Sequence, residues 1–166
     1  MEYFVNCNTA PLTPYAPPLD KTRVEHLFRR AGFSASVQTV DQSVGQTAGA
    51  LVDSLVNDAL ALPPLPAPAW QDWNRANYPA DDDAAGPIIR SQRDSWRLDY
   101  TQALLDNNLR DRMSFFWSNH FVTELEIYES PSYLYYYTDC LQRNALGNFK
   151  TFVSEIGLTY AMLYYL

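Results

Sequence analysis

The sequence predicts an all-α fold: an irregular bundle of about six to eight helices with a long connection rich in proline and tryptophan. Apolar residues recur at three- and four-residue spacing through most of the 166 residues. Ser, Thr and Asn precede these runs and Gly follows them, where helix caps belong. Most of the prolines fall into two clusters, around residues 11–18 and 63–68, which bracket the first helical stretch. The resulting division is an extended Pro-rich arm over residues 1–19 and a single helical domain over residues 20–166. The domain comprises N-terminal helices over 20–62, an irregular connection over 63–86 and C-terminal helices over 87–166.

Pro11, Pro14, Pro17 and Pro18 exclude regular helix from the arm. The first helix begins near Thr22, whose spacing to Glu25 is that of a capping box, and Val24, Leu27 and Phe28 form its apolar face. Arg29 and Arg30 suit its last turn and Gly32 its C′ position. Ser34 or Ser36 caps a second helix with Val37, Val40 and Val44 on one face, ending at Gly45. Thr47 caps a third, in which Leu51, Val52, Leu55, Val56 and Ala59 have core spacing. The connection then carries Trp70, Trp73 and Tyr78, followed by Asp81, Asp82 and Asp83. Pro87 suits position N1 of a long helix reaching Leu105, with Ile89, Trp96, Tyr100, Ala103 and Leu104 as buried candidates.

Residues 109–123, LRDRMSFFWSNHFVT, read as the central helix, with Leu109, Met113, Phe116, Trp117 and His120 facing the core. Arg110, Asp111, Ser114 and Ser118 then form its wetter side. A polar bend from Glu124 to Glu129 follows, and Ser130 and Pro131 start an enclosed aromatic helix containing Leu134, Tyr137, Thr138 and Leu141. Asn148 caps another helix with Phe149, Phe152, Val153 and Ile156 inward, broken at Gly157. Thr159 opens a final turn over residues 161–166. That turn ends on Met162, Leu163, Tyr164, Tyr165 and Leu166 without a Gly or polar finish. The expectation is a chain cut within an element, its apolar end covered by the remainder of a longer chain or by a protein partner.

A formal charge of −7 argues against a nucleic-acid partner, because phosphate neutralisation by Lys and Arg supplies most of that affinity. Arg29, Arg30, Arg90, Arg93 and Arg97 read as ordinary helix-surface arginines. Cys7 and Cys140 fit no metal or redox spacing and read as free thiols. No run approaches the roughly 20 apolar residues of a membrane span, and the N-terminus lacks the pattern of a secretion signal. A soluble chain without a cofactor is expected.

Only two histidines are present, so a His-based site must use His26 or His120. His120 and Glu124 have the i, i+4 spacing of a helical ligand pair, but no third ligand is near in sequence. His26 with Arg29 and Arg30 is a candidate anion site. Trp70, Trp73 and Tyr78 either pin the connection onto the helices or form a stacking platform for a sugar; the pin is the simpler reading, since an exposed tryptophan pair invites aggregation. No nucleophile elbow, phosphate loop or zinc-protease motif is present.

Three segments, His26-Leu27-Phe28-Arg29-Arg30-Ala31-Gly32-Phe33, Leu109-Arg110 with Phe116-Trp117-Ser118-Asn119-His120-Phe121, and Ala145-Leu146-Gly147-Asn148-Phe149 followed by Ala161-Met162-Leu163 and Tyr165-Leu166, stand in the order of three motifs of a bacterial family. The chain resembles the N-terminal part of that family, domain of unknown function 1800 (DUF1800), over about Asp20 to Leu166. The family motifs run approximately HLLRRAGFG, FWHNHF and ALGNF followed by PAML-x-YL. Ser118 stands where the family commonly has a histidine and Tyr160 where it has proline, and the later Asn-Glu-Asn and Ala-Arg-Glu-Leu type signature is absent. The resemblance implies no activity. Three functional expectations follow. The first is a structural or partner-binding helical region of a larger bacterial protein. The second is part of a hydrolytic or metal-dependent enzyme using His120, Asn119 and His26. The third is a carbohydrate-binding surface built from the loop aromatics.

Overall fold

The computed structural model describes residues 13, 15–106 and 108–166, and within them the chain is all helical. The helices are α1 (Lys21–Ala31), α2 (Val37–Ser43), α3 (Ala48–Ala61), α4 (Asp82–Leu105), α5 (Leu109–Ser118), α6 (Leu125–Tyr128), α7 (Pro131–Arg143), α8 (Phe149–Gly157) and α9 (Tyr160–Tyr165). One 3-10 turn at Arg75–Asn77 lies in the connection between α3 and α4. Most of the Pro-rich arm and Cys7 lie outside the described residues.

The central element is α7 rather than α5: it packs against α4, α5, α8 and α9. Its sequence explains this. Leu134, Tyr135, Tyr137, Cys140 and Leu141 are all buried, so the helix is enclosed on several sides. Around it Trp96, Phe152, Ile156, Ala161 and Met162 complete the larger core, with Trp70, Trp117 and Phe121 packed on its margin. A smaller core, Leu19, Val24, Phe28, Val40 and Leu51, joins the three N-terminal helices. Leu19 is fixed there by backbone bonds from its N–H to the Gln46 carbonyl and to its carbonyl from the Gly45 N–H, at 2.8 and 2.9 Å. Gly45 has φ +86°, a conformation that L side chains rarely adopt, which fits glycine to the turn.

Most caps fall where the residue types place them: Ser36, Thr47, Asn108 and Asn148 each accept from a backbone N–H. Others differ. Asp20, not Thr22, caps α1, and Gly32 ends it in extended rather than left-handed conformation. Helix α4 starts at Asp82, so Pro87 lies inside it rather than at N1. Asp81 caps this helix and Asp82 and Asp83 occupy its first turn, where the macrodipole favours carboxylates. The lost bond from Pro87 would fall on the Asp83 carbonyl, at a solvent-exposed residue. The bend after α5 contains α6, whose Tyr128 is buried, and Glu129 ends it with φ 52°.

The enclosed hydroxyls and thiol of this core have a measurable consequence. Burial pushes the Cys140 thiol up to about 11 despite the opposing charge of Arg143, and burial also raises Tyr100, Tyr128, Tyr135 and Tyr137 above the usual tyrosine value. Groups that hold their protons more tightly folded than unfolded contribute stability that is complete below the unfolded pKa values, about 8.5 for Cys and 10 for Tyr. That contribution is lost as pH rises through the folded values. Thermal melts should therefore be flat between pH 7 and 8 and fall steeply above about pH 9. In a Cys7→Ser variant, Cys140 should react with a thiol reagent at neutral pH only on unfolding; rapid labelling of that native variant would contradict its burial.

Candidate functional site

Helix α5 is turned about its axis relative to the predicted orientation. Arg110, Asp111 and Ser114 are buried at 5%, 1% and 0% exposure, while Phe115, Phe116, Asn119 and His120 are exposed. The predicted inward orientation of His120 is thus corrected. The physical reason is that the polar stripe satisfies itself. Asp111 accepts from Arg110 Nε and Nη2 at 3.0 and 2.8 Å, from Gln142 Nε2 at 2.8 Å and from Asn108 Nδ2 at 2.6 Å. Arg110 also donates to the Leu62 and Pro63 carbonyls, and Gln142 Oε1 accepts from the Leu65 N–H at 3.1 Å. A charged pair with all these partners can be enclosed, whereas either ion alone could not. The network ties the start of the proline-rich connection to α5 and α7.

The helix ends at Ser118, so His120 and Glu124 do not share a helical face. Ser118 Oγ and Asn119 Nδ2 both donate to the Phe115 carbonyl at 2.8 Å, and His120 Nδ1 donates to the Phe116 carbonyl at 3.0 Å. Because a carbonyl only accepts, this bond fixes the proton of a neutral His120 on Nδ1 and leaves Nε2 with the lone pair. The ring lies 4.3 Å from Phe116 and 5.7 Å from Trp117, centroid to centroid. Among the described residues no group of three or more His, Cys, Asp or Glu side chains is placed to hold a metal ion. His26 is also exposed, in a depression formed with Tyr15, Arg23, Leu27 and Arg30, and Arg29 pairs loosely with Glu25 at 3.7 Å.

Around α5 the three motif segments meet. Phe33 packs edge-on against Phe115 at 5.8 Å, with the Arg112 guanidinium 5.0 Å above its ring. Trp117 contacts Phe149 and Phe152, both at 5.4 Å, and its indole N–H donates to the Ala145 carbonyl at 3.1 Å. The inward assignment of α8 holds for Phe152 and Ile156 but not for Phe149 and Val153, which are 56% and 41% exposed. The outer surface therefore carries Phe115, Phe116, Phe149 and Val153 beside the half-buried Trp117.

The loop aromatics divide. Trp70 packs edge-on against Trp96 at 6.2 Å on the margin of the core, as a pin would. The Tyr78 hydroxyl donates to Gln92 Oε1 at 2.6 Å, and its ring meets Trp73 at 5.3 Å. Trp73 continues into a groove of about 710 Å³ whose other walls are Tyr133, Tyr136 and Tyr160. Tyr133 and Tyr160 stack nearly parallel at 5.1 Å. The polar lining includes Asp72, Asn74, Arg143 and Glu155. The sequence pointed to Trp73; the three tyrosines share no local motif with it, so nothing in their spacing could have joined them.

The fold and these two aromatic surfaces define an all-α domain built around α7, in which no helix among the described residues is long and apolar enough to cross a membrane. A family model described as protein of unknown function (DUF1800) matches residues 26–166, and the chain belongs to that family. No curated protein and no solved structure gives a significant match.

Proposed function

We propose that the chain is a partner-binding helical domain whose docking surface is the aromatic face of α5 and α8. The observation that carries this is the exposure of Phe116 and Phe149, both packed on Trp117, with Phe115 and Val153 also exposed on the same two helices, in a molecule that encloses Arg110 and Asp111 instead. Exposed aromatic clusters of this kind are the usual centre of protein interfaces, where they supply contact area at low entropic cost. The partner suited to it is an apolar helix face on another polypeptide segment, since the surface itself is formed by helix ridges. His120 lies at its rim. Its ring lies against Phe116 and Trp117, where it serves contact.

The test uses a dye sensitive to exposed apolar surface together with sedimentation. The full chain should bind the dye, and a Phe116→Ser, Phe149→Ser double variant should lose most of that binding with little change in melting temperature. His120→Ala should leave it unaltered. Absence of dye binding by the parent chain, or equal binding by the double variant, would remove this reading.

A further inference from the structure

The groove of Trp73 lies apart from that docking surface and shares none of the residues invoked for it. We infer that this groove is a binding site for a short neutral oligosaccharide. Its volume of about 710 Å³ falls within the range of about 300–1,000 Å³ typical of small-ligand sites. Its walls are aromatic rings that remain partly exposed: Trp73 is half-buried, Tyr136 is 36% exposed and Tyr160 is 63% exposed. A pyranose offers apolar C–H faces for such rings and a girdle of hydroxyls for the polar groups between them.

The polar groups select the ligand class. Asp72 and Glu155 give the groove two carboxylate acceptors, whereas the Asn74 side-chain carbonyl is taken by the Ala76 N–H at 2.9 Å. Asp72 accepts one bond from the Tyr136 hydroxyl at 2.5 Å, and Glu155 accepts from Arg143 and Asn144 at 3.3 and 2.8 Å. An ionised carboxylate has about four lone-pair positions, so both keep capacity for further donors. Sugar hydroxyls donate as well as accept and match this lining. A proline-rich peptide, the other common occupant of Tyr/Trp grooves, brings mainly carbonyl acceptors and matches it poorly. An acidic glycan is disfavoured by the chain's −7 charge and by Asp72 and Glu155 in the lining, and a cationic occupant is separated from a sugar by the tetramethylammonium arm of the titration below.

Trp73 and Tyr160 approach from distant parts of the sequence, one on the connection and one on α9. Both should therefore contribute to binding independently of the fold, which does not depend on Tyr160 at its exposure.

The experiment is titration of the full chain with cellotetraose, mannotetraose, xylotetraose and chitotetraose, followed by calorimetry and tryptophan emission. At least one should bind saturably, and Trp73→Ala and Tyr160→Ala should each weaken it tenfold or more with melting temperature preserved for Tyr160→Ala. The ligand-induced emission change should vanish in Trp73→Phe. Four outcomes would overturn the inference: no saturable binding by any of the four; binding indifferent to both substitutions; a Trp73-dependent response to tetramethylammonium alone; or such a response to a proline-rich peptide alone. The Phe116→Ser, Phe149→Ser variant should bind the sugar normally, which separates a failure here from a failure of the docking surface.

Discussion

Replacing Asp111 with alanine is expected to remove about 3–5 kcal/mol of folding stability, the scale for stranding one partner of a buried ion pair. The side chain is 1% exposed and accepts from Arg110, Gln142 and Asn108. Its removal leaves the Arg110 guanidinium with only the Leu62 and Pro63 carbonyls, and two amides without an acceptor. The exposed Lys21–Asp41 pair is the internal contrast: at 2.9 Å with both side chains 56% exposed and solvent-screened, its loss should leave the urea midpoint nearly unchanged. Urea denaturation followed by circular dichroism reads both, and the Asp111→Ala midpoint should drop by more than about 1 M. A combined Arg110→Met, Asp111→Leu variant should recover part of the loss, because no unpaired ion then remains. A cost below about 1 kcal/mol for Asp111→Ala would instead mark the pair as solvated.

The same residues show why the helical class was legible and the orientation of α5 was not. Local signals act over a few residues: Ser36, Thr47 and Asn148 cap helices with bonds made within three positions, as their spacing predicts. The facing of α5 depends on Gln142 and the Leu62 and Pro63 carbonyls, which arrive from far along the chain. A rule that places Arg and Asp outside assumes they lack such partners, and here the partners reverse it. The result also reassigns the aromatic motif: Phe116 and Phe149, predicted as core, lie on the surface, while the polar residues beside them are enclosed. Helix α7 is legible as an enclosed aromatic helix from its own residues, but that it rather than α5 stands at the centre depends on the four helices packed around it, which its sequence does not carry.

The second large effect is expected at Trp96, where alanine should cost about 3–5 kcal/mol. The indole is 3% exposed, meets Trp70 at 6.2 Å and Tyr135 at 5.1 Å, and donates to Thr138 Oγ1 at 2.8 Å. Phenylalanine should be far milder. Thr138 Oγ1 still has the Leu134 and Tyr135 carbonyls at 2.9 and 3.0 Å to donate to, so it loses an incoming bond without becoming an orphan. The contact also decides the position of the connection: Trp70 precedes Asp72 and Trp73 by only a few residues, so its seat against Trp96 sets where the groove wall stands. A double-mutant cycle between Trp70→Ala and Trp96→Ala should show coupling of about 0.5–1.5 kcal/mol, the scale of a paired aromatic contact. In Trp96→Ala the remaining tryptophan emission should become more accessible to acrylamide as Trp70 loses its platform. Strict additivity of the two losses, with unchanged quenching, would show that the connection is held by its polar ties instead, among them those of Ser132 to the Gln71 carbonyl, Gln142 to the Leu65 N–H and Tyr136 to Asp72.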